Sequence, residues 1–190
     1  MEDALFEIAP TIDVVAKKRY PEMKRVGERV KAFIFDEQAL IYFLSTQGKI
    51  KLPDGVRIVM VQSGNEKKPW GNTPDHRGEL ADFIYHNIRC AQSHEAEIDY
   101  RYIDLGRQFG ICRQTFENDG EPPRPGVFVI SNATVLSLIL AVICATENKR
   151  IRLPGDIILY NKIKLDSKEL PGNKTYLVNM LEGLFCGGST

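Results

Sequence analysis

Residues 126–161 read GVFVISNATVLSLILAVICATENKRIRLPGDIILYN, and the way this stretch is divided decides the fold. The apolar run Val127-Phe128-Val129-Ile130 is followed by the polar pair Ser131-Asn132, then by an apolar helix, and then by a second apolar run, Ile157-Ile158-Leu159-Tyr160. Continuous β-branched runs are the pattern of strands covered on both faces. Strand, helix, strand in that order predicts a parallel pair joined by a crossover. The polar break after the first strand then lies at its carboxyl end, where open α/β sheets bind ligands. A ligand crevice is expected beside Asn132.

Outward from this unit the chain alternates in the same way. Residues 12–16 read as a short strand, followed by a basic, polar stretch over 17–31 and a short apolar run over 32–35. Asp36 reads as the cap of a helix over 37–46, in which Ala39, Leu40, Phe43 and Leu44 recur at helical spacing before Gly48. Residues 56–61 predict a strand, 63–74 a loop, 76–90 a helix, 98–103 a strand and 107–117 a helix with Phe109, Cys112 and Phe116 inward. NDGEPPRP at 118–125 is a loop and 175–185 a closing helix. Alternating strands and helices predict an α/β protein with doubly wound parallel sheets. KIKLPDGVRIVMV (49–61) and RIRLPGDIILY (150–160) echo each other; two related lobes or a reused helix-to-strand turn would each give this.

The composition narrows the function classes. A chain of 190 residues with 43% hydrophobic residues is long enough for one large domain or two small ones. Twenty-five Lys and Arg balance 25 Asp and Glu, so there is no general positive field to supply non-specific nucleic-acid affinity. Cys90, Cys112, Cys144 and Cys186 are widely spaced and read as buried reduced thiols. The acidic opening lacks the pattern of a signal peptide, which predicts a cytoplasmic location, and the longest apolar run is too short to span a bilayer.

Most catalytic patterns are missing. The sequence has no G-x-S-x-G elbow and neither of the glycine-rich phosphate loops. Of His76, His86 and His94, the first two stand ten residues apart on the proposed helix and do not share a face, so no metal or cofactor is expected. What stands out is a set of polar residues at strand ends or helix starts: Arg77, Ser131, Asn132 and Asn161. Their amides and guanidinium suit hydroxylated or carboxylated small molecules, although Asn132 and Asn161 would equally serve as caps.

The order of residues resembles the effector-binding domain of the lac-repressor/galactose-repressor family, whose core is similar to type I periplasmic sugar-binding proteins. The likeness rests on Asp36, Phe43-Leu44, Gly48, Val56-Arg57-Ile58-Val59 and His76-Arg77-Gly78, on residues 125–135, and most specifically on residues 150–161. It implies two Rossmann-like lobes, the first incomplete, over about residues 1–74 and 75–190. It also implies a non-enzymatic sensor in which Arg77, Asn132 and Asn161 bond a sugar-like effector. The family's acid after the asparagine is Ala133 here, and its aspartate after the tyrosine is Asn161.

Further implications are a homodimer, DNA contact only through a helix-turn-helix domain that this stretch does not contain, and no membrane association. Two rival readings are a transferase-like α/β enzyme with Asp36 or Asp104 as base, and an interaction module whose crevice is filled by Trp70 or Phe109.

Overall fold

The computed structural model describes residues 2–48, 51–53, 80–85, 103–106, 111–113, 128–159 and 163–186. The chain opens with helix α1 (Glu2–Arg19). Its buried residues Ile8, Ala9, Ile12, Val15 and Ala16 follow the 3.6-residue period, while Val14 stays exposed. The expected strand over 12–16 is therefore corrected: Ile12, Val15 and Ala16 share a helix face, which no alternating strand would give them.

Helix α2 (Val26–Ser45) runs without interruption through Asp36, which lies inside the helix and caps nothing. Val30, Phe33, Ile34, Glu37, Leu40, Ile41 and Leu44 form its buried stripe. It ends where Gln47 and Gly48 take positive φ, and the Gly48 N–H donates to the Phe43 carbonyl at 2.7 Å. The short helix α3 (Leu80–Ile84) docks on α2 through Lys31 Nζ and Asp82 Oδ1, 2.9 Å apart. Gly27 permits this approach, because a Cβ there would lie 2.8 Å from the Tyr85 ring.

Strands β1 (Ile103–Gly106), β2 (Ile111–Arg113) and β3 (Phe128–Ser131) form one sheet in the order β1-β3-β2. β1 and β3 are parallel, with Ile103 opposite Phe128 and Gly106 opposite Ser131. β2 and β3 are antiparallel, so residues 111–113 are strand where the sequence predicts helix. Helix α4 (Asn132–Cys144) follows β3 at once, as expected.

The second apolar run does form a strand, β4 (Ile157–Leu159), but it pairs antiparallel with β5 (Ile163–Leu165) in a separate hairpin. It does not return to the sheet of β3. Helix α5 (Lys174–Cys186) closes the described chain, and Asn173 Oδ1 caps it by accepting the Tyr176 N–H at 3.0 Å.

The doubly wound, periplasmic-binding-protein-like architecture is overturned by these pairings. Parallel pairing among the described residues is confined to β1 and β3, and the core is built mainly of helix against helix. α4 sits at its centre, touching α1, α2, α5 and β3. That enclosure explains why NATVLSLILAVIC is apolar nearly all round. α4 buries Thr134 and Ser137, the latter with its Oγ donating to the Ala133 carbonyl, and beyond the helix end the buried Asn148 donates from Nδ2 to the Val142 carbonyl at 2.7 Å. Among the described residues no helix is long and apolar enough to cross a membrane.

The turn before α5 is held by Gly172, whose φ is +68° and whose added Cβ would lie 2.8 Å from the Lys149 backbone. Its N–H donates to the Ile143 carbonyl at 2.9 Å. Gly172→Ala should therefore destabilise by more than about 1 kcal/mol, seen as a fall in the urea midpoint, because neither the backbone angle nor the contact tolerates a methyl group. Leu138→Ala, in the centre of α4, should lower stability by about 2–5 kcal/mol in the same measurement.

Candidate functional site

Ser131 and Asn132 sit where the sequence places them, at the end of β3 and the start of α4, and Asn132 is exposed. Arg77 and Asn161 lie outside the described residues, as do Trp70, Phe109 and the three histidines. The described structure therefore brings together only two of the four expected ligand-binding residues. Among the described residues no three His, Cys, Asp or Glu side chains are grouped to hold a metal ion.

A different polar centre lies in the helical core, and it is built around Glu37. At 1% exposure this carboxylate belongs to the apolar stripe of α2. Its Oε1 accepts from Arg19 Nη1, on the last residue of α1, at 2.8 Å, and its Oε2 lies 2.7 Å from Lys174 Nζ, on the first residue of α5. The second contact is an ion pair without hydrogen-bond alignment, so Oε2 has no directed donor.

Arg19 spreads its charge further: Nε and Nη2 donate to the two oxygens of Glu147 at 2.9 and 3.0 Å, and the guanidinium lies 4.7 Å from the centre of the Phe33 ring. Asp36 is at the edge of this cluster, 3.9 Å from Arg19, and accepts the Tyr20 hydroxyl.

Next to the hub a cleft of about 210 Å³ opens between α2 and α5. Its charged rim is Asp36, Lys51 and Lys174, and its apolar wall includes Leu40, Phe43 and Val178. Lys51 Nζ pairs with Glu182 Oε1 of α5 at 2.5 Å. This arrangement can seat a small ligand with a polar, anionic end against the lysines, a hydroxyl on Asp36 and an apolar body on the wall.

The surroundings set the protonation of the hub. Burial alone would raise the Glu147 carboxyl, but the hydrogen bonds and charge of Arg19 outweigh it and hold it below the usual carboxylate range. Burial would likewise lower Arg19, yet its hydrogen bonds to Glu147 and Glu37 raise it, so the guanidinium stays charged. Burial, then the hydrogen bond to Asp36, raises the Tyr20 phenol and keeps it a donor. The Cys144 thiol is pushed up to about 12 by burial and then by Glu37, which leaves it protonated and unreactive.

The sequence reading missed Arg19, Glu37, Glu147 and Lys174. The only local signal was an acid on an apolar helical stripe at Glu37, and it becomes visible once α2 is read as unbroken.

The Rv1289 family model covers residues 1–182, and the chain belongs to that family. No curated protein and no solved structure matches the chain.

Removing the charge at Glu37 leaves Lys174 without its buried partner and Arg19 with one fewer, so Glu37→Gln should cost about 3–5 kcal/mol by urea denaturation. Lys174→Met, at a more exposed position, should cost less. Because Glu147 binds its proton less readily folded than unfolded, its contribution is complete above the ordinary value of 4.5 and is lost as pH falls through the lower folded value. Urea midpoints measured from pH 7 down through that range should fall, and Glu147→Gln should start lower at pH 7 and decline less steeply.

Proposed function

We propose that this member of the Rv1289 family is a small-molecule-binding protein whose ligand occupies the cleft between α2 and α5. The observation that carries the reading is the pairing of a cationic rim, Lys51 and Lys174, with Asp36 and an apolar wall in one concave site. Its volume of about 210 Å³ is below the roughly 300–1,000 Å³ usual for drug-sized ligands, so the ligand is compact.

A hydroxylated carboxylic acid, such as a sugar acid, meets these groups best. Its carboxylate faces the lysines, a hydroxyl donates to Asp36, and its C–H face lies on Leu40 and Phe43. The reading keeps the small-molecule part of what the family resemblance implied and moves it from the strand ends to the helices. The hinge closure and the control of DNA binding implied there depended on two doubly wound lobes and are not part of the proposal. Binding without chemistry is favoured over the transferase-like reading because, of its two named bases, Asp36 is engaged by Tyr20 and stands beside Arg19, and Asp104, on β1, is not among the described residues that line the cleft.

A thermal-shift screen of the folded chain against sugar acids, hydroxy acids and neutral sugars tests the proposal. A ligand at about 100 times its Kd should stabilise by about 2.7 kcal/mol, raising Tm by roughly 5–10 °C for a chain of this size. Leu40→Trp, which fills the cleft, should remove that shift. A shift that survives the substitution, or no shift with any acid, would reject this site.

A further inference from the structure

A second concave surface, sharing no residue with the α2–α5 cleft, lies on the far side of the turn before α5. It encloses about 680 Å³ and is lined by Lys149, Arg150, Arg152 and Lys168 together with Ser167. All four cations are exposed, and among the described residues none of them makes an ion pair. This sets them apart from Arg19, Arg29, Lys31, Lys51, Lys164 and Lys174, each of which has an acidic partner.

The nearby acids are committed elsewhere. Asp156 Oδ2 pairs with Lys164 at 2.8 Å while its Oδ1 accepts the Ser167 N–H at 3.0 Å, and Asp166 Oδ1 accepts the Lys168 N–H at 2.7 Å. Neither Asp156, Asp166 nor Glu169 lines the cavity.

The two walls are fixed relative to each other. One wall is the turn and irregular segment over 149–153, in which Arg150 and Arg152 stand two residues apart, and the other is the turn carrying Ser167 and Lys168. The close approach of Gly172 to the Lys149 backbone and its bond to Ile143 lock the turn against the end of α4. The four charges are thus held around one hollow, and like charges held together in this way repel until an anion enters. The hollow takes up the two arginines of the RIRLP sequence motif, whose Leu153 packs against the core.

We infer that this hollow binds a compact anion carrying several clustered phosphates, such as a di- or triphosphate group. Two arginines favour phosphate because the planar guanidinium offers paired N–H donors to its oxygens. Compactness follows from the enclosed volume, which matches a small-molecule site. It also follows from the lining, which among the described residues has no aromatic side chain on which bases could stack, and from a chain with 25 positive and 25 negative residues, which lacks the broad field that holds a nucleic-acid backbone.

Isothermal titration calorimetry of the full chain with inorganic tripolyphosphate tests the inference. The expected result is saturable one-to-one binding that weakens at higher ionic strength, and that Arg150→Ala and Arg152→Ala each weaken roughly tenfold, as the loss of a charged hydrogen bond would. Lys18→Ala, at an exposed position on α1, should leave it unchanged.

Both arginine variants should keep the wild-type Tm, since among the described residues neither side chain makes a hydrogen bond or an ion pair, so a loss of binding would report on the hollow and not on folding. Equal binding of citrate would overturn the phosphate assignment. Tight binding of duplex DNA or anionic vesicles that tripolyphosphate fails to displace would overturn the compact ligand, and unchanged binding in both arginine variants would overturn the site.

Discussion

Everything in the helical core has to accommodate one buried carboxylate. Glu37 sits on the face of α2 that packs inward, and taking an ionised group out of water costs several kcal/mol unless cations meet it. Those cations come from helix ends far apart in sequence, Arg19 from the end of α1 and Lys174 from the start of α5. Arg19 is placed favourably, since a cation suits the negative end of a helix dipole, whereas Lys174 stands at the positive end of α5 and is offset by Glu37. The pairing fixes which residues of three helices must meet, a register that apolar contacts alone leave looser.

The turn over residues 166–173 links the two clefts. Lys168 belongs to the basic hollow, and Lys174, just after the turn, belongs to the cleft beside α2. Between them Gly172 and Asn173 set the geometry, one by its positive φ and the other by capping α5. A short segment with no regular structure thus positions a cation for each surface, in keeping with the general pattern that binding groups lie on loops held by a rigid frame.

What was legible in the sequence was local. The Ser131-Asn132 junction, the closing helix and the strand at 157–159 are visible because each has a clear boundary signal and a consistent period. The strand at 12–16 was misread because IDVVA is apolar enough for either period over five residues, and only Ile8 and Ala9 further back reveal the helix. Asp36 looked like a cap because aspartate favours caps, yet α2 continues through it under tertiary packing.

The parallel sheet failed on a pairing choice. Ile157 to Leu159 is the same strand whether it returns to β3 or folds into a hairpin, and the short partner IKL at 163–165 carries little signal of its own. The hub of Arg19, Glu37, Glu147 and Lys174 spans most of the chain, so no window of sequence contains it. The likeness to sugar-sensing regulators drew on those same local patterns, and local patterns do not determine how strands pair.

The central position of α4 has a consequence for how the chain is made. During synthesis α1 and α2 emerge before α4 and can pair locally, but the helix that covers them lies nearly a hundred residues further on. Until it arrives, Phe33, Ile34 and Ile41, all buried in the finished protein, face water. Contacts of such separation form slowly, because the loop must close before they reward it. The inward apolar face of the α1–α2 pair therefore stays open to aggregation until α4 closes over it.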